Sequence, residues 1–452
     1  MISLLGPVTP ADLKRSKDLF YLERDKRSGE TNARIRSNMD ANVALIASKR
    51  AASSENGQIL LLTVVNTLLR MGRFFSRPVI LVPDVPLRVR VAGLPKCSVR
   101  EAAMAIASAA DPHCTVSNEA DEANVAIVLG ESKIPAKHAI CPSVQKDAAV
   151  LSAHPKNSTG GKNPAAATVS AYAALAEVYK TLFPHLEKRS VPELHIPFPA
   201  LRHLDLGRSL LVGAGGIGNA LSWALQFCDA YGELGTCDFE PVEPSNLNRY
   251  LCAFVDDVTR DKAEQLAAYL NANSALKAFR AGGLYGPAVA RTLQSYDRVI
   301  TCLDNVVTRF EVQSDFPRII CNAGTNSYSF LSSTHNFIEK ACLGCLFPPR
   351  TGVSHIGRVG CDNAPAGAPV RPNDSYSFVS GLAGSFLLAQ MFGGSIGEVV
   401  QGSALALDSI VRETREKDPD CAVFCGNPLV QVACREVQNS KKVTRKEMTV
   451  AR

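Results

Sequence analysis

Chemistry concentrates in one stretch. Gly213, Gly215 and Gly218 form a G-x-G-x-x-G run, preceded by a short buried strand expected over Arg208–Val212 and followed by a helical pattern from about Asn219 to Cys228. In such a strand–turn–helix the first glycine permits the tight turn. The second lets backbone approach a phosphate, and the third lets the helix pack on its strand. The unpaired N–H groups and positive end of the helix then face an anion. Leu234–Cys237 is expected as a second strand, and Asp238 at its end, roughly 20 residues on, suits a ribose hydroxyl. These residues alone fit an NAD-dependent dehydrogenase as well as an ATP-using enzyme.

The residues that follow separate the two. The run 245–249, SNLNR, puts the Asn246 amide and the Arg249 guanidinium just past the ribose corner. A planar guanidinium binds two phosphate oxygens at once. Lys262, opening a helix over Asp261–Asn271, is a surface charge taken singly and a second phosphate clamp beside Arg249. Asp304 follows a strand over Arg298–Cys302. Open parallel sheets bind ligands at the carboxyl ends of strands, and a carboxylate there could hold the Mg²⁺ of a triphosphate. It could also cap the helix beginning near Val306. Cys342 and Cys345 form C-x₂-C, and Cys421 and Cys425 form C-x₃-C; two such pairs match a tetrahedral, structural Zn²⁺ site. Between them, Cys361 sits in a Pro- and Gly-rich stretch over 347–374. A thiol in such a loop is a candidate nucleophile, with His355 and Arg358 near in sequence.

The elements around these residues read as α/β. The chain has 452 residues, 46% hydrophobic and 20% charged, with a net charge of +6 and fourteen cysteines. That is enough for two or three domains, and the charge is too mild to indicate nucleic acid. No run of about 20 apolar residues suggests a membrane span, and no leader pattern is seen, so a cytoplasmic protein with reduced thiols is expected. Most of the scattered cysteines, such as Cys228, Cys237, Cys252, Cys302 and Cys321, read as small buried hydrophobes. The N-terminal part predicts a charged, helical stretch over Asp12–Arg50, with Arg24, Lys26, Arg27, Arg34 and Arg36 on a solvated face. Further predicted elements are helices over Gln58–Met71 and Ala166–Phe183, strands over Pro78–Val82 and Asn124–Leu129, and a capping box at Ser98 opening a helix to about Ala110. Alternating strands and helices suggest a parallel-sheet unit without its own glycine fingerprint. The segment His154–Pro164 contains G-G-K but lacks phosphate-loop spacing.

Together, G-A-G-G-I-G, D-F-E-P-V-E-P-S-N-L-N-R, Lys262, C-L-D-N-V-V-T-R and the cysteine pairs resemble the ThiF/MoeB superfamily over roughly Gly207–Asn427. That superfamily contains the ubiquitin-activating and the sulfur-carrier-activating enzymes. The resemblance implies a Rossmann-like adenylation domain with a zinc knuckle, using ATP and Mg²⁺ on the C-terminal glycine of a ubiquitin-like protein. It assigns Gly213, Gly215 and Gly218 to the nucleotide loop and Asp238 to the ribose. Asn246, Arg249 and Lys262 fall to the phosphates, Asp304 to magnesium, and Cys342, Cys345, Cys421 and Cys425 to zinc. Cys361 falls where several members place a thioester-forming cysteine, from which a conjugating enzyme would take the acyl group. The family's arginine from a neighbouring N-terminal helix has no clear match. On this reading residues 1–190 form an α/β domain that could be an inactive adenylation-like partner, 191–205 a linker, 206–435 the active domain and 436–452 a basic tail. A homodimer or an intramolecular pseudo-dimer is implied.

Overall fold

The computed structural model describes residues 8–27, 42–71, 78–91, 94, 97–116, 123–132, 136–182, 193–201, 203–336, 339–347, 376–419, 421, 425 and 432. Cys361, His355, Arg358, Arg34, Arg36 and the basic tail lie outside them.

The first half opens with α1 (Pro10–Arg15) and α2 (Lys17–Arg24), capped by Thr9 and Ser16. Then come β1 (Val43–Ala47), α3 (Lys49–Ala52), α4 (Glu55–Arg70), β2 (Val79–Leu81), α5 (Val99–Ala110), β3 (Ala123–Leu129), β4 (Ala136–Gln145), β5 (Ala148–Ser152), α6 (Pro164–Leu182) and β6 (Leu194–Pro197). The six strands form one sheet in the order β2-β1-β3-β4-β5-β6. The first four are parallel and the last two antiparallel. The expected capping box at Ser98 is formed, with Glu101 reaching back to the cap. Two expectations need correction. Residues 12–50 are not helical throughout, because Val43–Ala47 is a strand between β2 and β3. The stretch 191–205 is not a plain linker, because it holds β6 and the start of β7.

The second half comprises β7 (His203–Val212), α7 (Gly216–Leu225), β8 (Asp229–Cys237), α8 (Lys262–Asn273), β9 (Lys277–Gly282), α9 (Pro287–Ala290), β10 (Arg298–Thr301), α10 (Val306–Ser314), β11 (Ile320–Asn326), β12 (Ser329–His335), α11 (Leu343–Leu346), α12 (Ser377–Gly393), β13 (Glu398–Ser403) and β14 (Ala406–Thr414). Its eight strands run β14-β13-β12-β11-β10-β7-β8-β9. From β11 to β9 neighbouring strands are parallel, and β12, β13 and β14 extend the sheet antiparallel. The chain runs from β7 to β8 and β9 on one side, then returns to place β10 on the other. The carboxyl ends of β7 and β10 therefore flank a switch point, where Rossmann-like sheets bind ligands.

Helices join the halves. Along α12 no charged residue occurs and nearly every side chain is buried, so it is covered on all sides. It lies between α6 of the first half and α7 of the second. A Cβ on Gly381 would sit 2.4 Å from the Tyr172 ring, and one on Gly384 2.7 Å from the Leu221 backbone nitrogen. The Thr168 and Ser385 hydroxyls meet at 2.8 Å across this contact. Among the described residues, no helix is long and apolar enough to cross a membrane.

Candidate nucleotide and metal sites

At the end of β7, Gly213 takes φ +99°, and a Cβ there would lie 2.7 Å from the Cys302 carbonyl oxygen beyond β10. Only glycine fits that approach. Gly215 is the N-cap of α7 and offers no side-chain hydrogen bond, so no cap side chain takes the N–H groups of its first turn. A Cβ on Gly218 would meet the Gly213 carbonyl at 2.4 Å, which is the close packing the third glycine serves. Asn219, which the sequence reading did not single out, fixes the loop. Its amide donates to the Ala214 and Gly215 carbonyls at 2.9 and 3.1 Å and accepts from the Cys252 N–H at 3.2 Å.

Asp238 stands just past β8 and is tied to the same loop. Its carboxylate accepts from the Ala214 N–H at 2.8 Å and from the Glu240 N–H at 3.1 Å. Burial raises its pKa above the ordinary carboxylate value, against the pull of Lys262 and the two N–H donors. Lys262, the first residue of α8, is buried and bonded to Glu240. Burial pushes its ammonium down, but Tyr250, the Glu240 hydrogen bond and Asp238 together leave it raised. Arg249 is also buried, donating to the Ser245 carbonyl and the Asn248 side chain, both at 2.8 Å. Its Cδ comes within 3.5 Å of where a Cβ of Gly216 would be. Asn246 is buried in the turn before it, its side-chain oxygen accepting from the Glu243 N–H at 2.9 Å.

Tyr250 joins these groups. The Arg249 guanidinium lies 5.2 Å and the Lys262 ammonium 5.5 Å from its ring centroid. Its hydroxyl is 3.6 Å from the Cβ position of Gly215. Two cations against one ring are held by its negative face. The arrangement therefore gathers the glycine loop, Asp238, Arg249 and Lys262 about a single aromatic residue. The sequence signal was available, since Tyr250 directly follows the SNLNR run.

Asp304 lies past β10, one residue beyond the Leu303 N–H that a Gly213 Cβ would approach at 3.3 Å. It is exposed and makes no hydrogen bond or ion pair among the described residues. The cap of α10 is Asn305, which accepts from the Thr308 N–H at 2.8 Å. Asp304 is thus left facing outward, a carboxylate of the kind a hydrated Mg²⁺ takes singly. Behind it, buried Arg309 donates to the Leu303 carbonyl and to the Ala323 carbonyl at 3.0 Å, pinning the turn to β11.

Four cysteines meet elsewhere. The sulfurs of Cys342, Cys345, Cys421 and Cys425 all lie within 4.8 Å of one another. Cys342 is 3.9 Å from Cys345 and 3.6 Å from Cys421, and Cys345 is 3.1 Å from Cys425. Zn–S bonds of about 2.3 Å in a tetrahedron place sulfurs about 3.8 Å apart, so the cluster fits zinc. The extra residue of the second knuckle is accommodated. A zinc held by all four would have no open coordination position, as in structural rather than catalytic sites. Next to it His335 is buried between the Ala341 carbonyl and the Ser333 hydroxyl, and burial lowers its pKa to about 4. Cys228, Cys237, Cys252, Cys302 and Cys321 are free and buried.

One N-terminal expectation is overturned. Arg24 is not on a solvated face. It is fully buried, paired with Asp25 at 2.9 Å and Asp111 at 3.0 Å, and lies over the rings of Phe20 and Tyr21. Desolvating a cation is tolerable here because two carboxylates answer it.

Comparison with known proteins agrees with this geometry. The ThiF family model matches residues 188–389. A protein of Sinorhizobium fredii called y4jF is 37% identical over 149 residues, covering 32% of this chain and 28% of that protein. The adenylyltransferase and sulfurtransferase MOCS3 of Aedes aegypti is 30% identical over 261 residues, covering 54% of this chain and 56% of that protein. The chain thus spans about half or less of the length of these relatives. Among solved structures, E. coli MccB with ATP is similar at 16% identity and a TM-score of 0.37, over 49% of this chain and 67% of that one. The glycine loop, with its aspartate and paired cations, lies within the stretch 188–389 that matches the ThiF family model, so this part of the chain is similar to that family in sequence where the site is built.

Proposed function

We propose that the chain is an ATP-dependent activating enzyme that adenylates the C-terminal glycine of a ubiquitin-like protein. The observation that carries this is the convergence of Asp238, Arg249 and Lys262 on an uncapped glycine loop at the switch point. ATP would lie with its ribose at Asp238 and its phosphates over Gly213–Gly218, with Asn246, Arg249 and Lys262 along the polyphosphate. The substrate carboxylate forms a bond to the α-phosphorus as the bond to the β-phosphate oxygen breaks, releasing pyrophosphate. Arg249 and Lys262 are placed to meet the charge that moves onto the departing oxygens, the usual largest source of rate in such transfers. Mg²⁺, held through Asp304, would add charge neutralisation on the phosphates. Cys361 would then attack the acyl carbon as a thiolate, displacing AMP and leaving a thioester for a conjugating enzyme.

A second reading is favoured by the MOCS3 similarity: adenylation of a sulfur carrier or a peptide with no thioester on Cys361. ATP–pyrophosphate exchange with candidate carriers tests the common step, and no exchange with any carrier would remove both readings. Cys361→Ala separates them. The first predicts loss of a thiol-reducible adduct with exchange retained, and the second predicts no such adduct in either protein. The pairing of two halves in one chain supports an intramolecular pseudo-dimer, and the small net charge supports a protein partner over nucleic acid. A cytoplasmic location follows from the same reading.

A further inference from the structure

Arg70 is the last residue of α4, in the first half, yet its side chain ends inside the second. It is 2% exposed. Nη1 donates to the Leu247 carbonyl at 2.8 Å, and Nη2 donates to the carbonyls of Ala253 at 3.0 Å and Leu251 at 3.4 Å. Nε donates to the Asn66 side chain at 3.0 Å, whose amide in turn donates to the Leu251 carbonyl at 2.9 Å. The guanidinium also lies 5.3 Å from the Phe254 ring centroid. Residues 247–253 form an irregular turn in which Leu247, Leu251 and Ala253 are buried. Among the described residues no backbone N–H reaches these three carbonyls. Buried carbonyls left open in this way need a donor, and a planar group with five N–H bonds serves several at once. Among the described residues no carboxylate hydrogen-bonds Arg70, in contrast to Arg24 with its two. Burial lowers its pKa to about 9, so it is still a cation at neutral pH.

The same turn carries Arg249 and Tyr250, the residues that gather the nucleotide site. We infer that Arg70 is a positioning residue: through it the first half fixes the backbone of 247–253 and thereby the aim of Arg249 and Tyr250 at the glycine loop. It touches neither nucleotide nor reacting atoms. A domain with no glycine fingerprint of its own would then act as a fixed component of its neighbour's site. The functional arm of this inference rests on the adenylation reading, whereas the structural arm does not.

Arg70→Lys in the full chain keeps the charge and loses the fork. Hydrogen–deuterium exchange should show the amides of 246–253 exchanging about tenfold faster or more, with the rest of α4 and the two sheets unchanged. The emission of Trp223, the chain's one tryptophan, is the control for folding, because its indole N–H donates to Thr63 on α4 at 3.0 Å. Mg²⁺–ATP binding, measured by equilibrium dialysis, should weaken about tenfold without a matching loss of thermal stability. Unchanged exchange at 246–253 in a folded variant overturns the inference. Faster exchange with unchanged ATP affinity overturns its functional arm. If the unaltered chain binds no ATP, the adenylation reading fails, and the exchange result still decides the role of Arg70. Should Arg70→Lys not fold, Asn66→Ala, which removes the Nε anchor and one donor to Leu251, is read in the same two ways.

Discussion

Past β1 in the first half, the Ser48 N–H bonds the Leu129 carbonyl at 2.9 Å, and its hydroxyl accepts from the Ala51 N–H at 3.2 Å. Ser54 caps α4 the same way, accepting from the Gly57 N–H at 3.1 Å. The switch point between β1 and β3 is filled, because a Cβ on Gly130 would lie 2.3 Å from the Ser48 hydroxyl and 2.5 Å from the Asn157 side chain. Past β7 in the second half the same place is a glycine turn with an uncapped helix. After β2 the first half has Asp84, exposed and without a hydrogen bond among the described residues. After β8 the second has Asp238, tied to the loop. Both halves contain a run of parallel strands with a strand-order reversal, so that arrangement alone makes no nucleotide site. What differs is whether side chains have already taken the N–H groups a phosphate would need.

Four substitutions bear on this contrast. Gly218→Val has no room against the Gly213 carbonyl and should cost about 3 kcal/mol in urea unfolding while abolishing nucleotide binding; a folded variant that still binds ATP would mean the loop is not the site. Gly381→Ala drives a methyl into the Tyr172 ring and should cost about 2 kcal/mol, with the two halves losing stability together. Two separate unfolding transitions would instead show them independent. Ser54→Ala removes a cap and should cost about 1 kcal/mol with ATP affinity untouched, whereas altered affinity would give the first half a nucleotide role. Asp238→Asn replaces one of two oxygens that each accept a backbone N–H by an NH₂ that cannot accept, and should lower apo stability at pH 7 by about 1 kcal/mol. The raised pKa of the unaltered carboxylate adds a pH dependence that the variant lacks: the ionised form costs the folded state above that pKa, and the cost fades as pH falls through it toward the ordinary carboxylate value. Unfolding at pH 7 and 5 checks this, and the variant should still bind nucleotide at least about tenfold more weakly.

Much of this was legible because glycines, cations and cysteines are constrained by chemistry at fixed spacing. The strand–glycine–helix stretch is found within a few residues of where the pattern puts it, though α7 starts at Gly216 rather than Asn219 and β7 starts earlier, at His203. The cysteine pairs meet as their types require. What could not be read depends on distant partners. Val43–Ala47 is too short to announce itself inside a charged stretch. The β4–β5 hairpin turns at Lys146, with φ 57°, where no glycine marks it. Arg24 and Arg70 look like ordinary surface charges until the fold brings Asp111 to one and the 247–253 carbonyls to the other. Asp304 was open between metal ligand and cap, and Asn305 has the cap.

The position of α12 bears on how the chain is made. A ribosome must reach residue 393 before that apolar rod exists, yet α6, finished some two hundred residues sooner, depends on it for cover. Until then the nascent first half presents an alanine-rich flank to whatever surrounds it, a surface suited to capture by a chaperone. Full cover for α6 therefore comes only after α12 has left the ribosome.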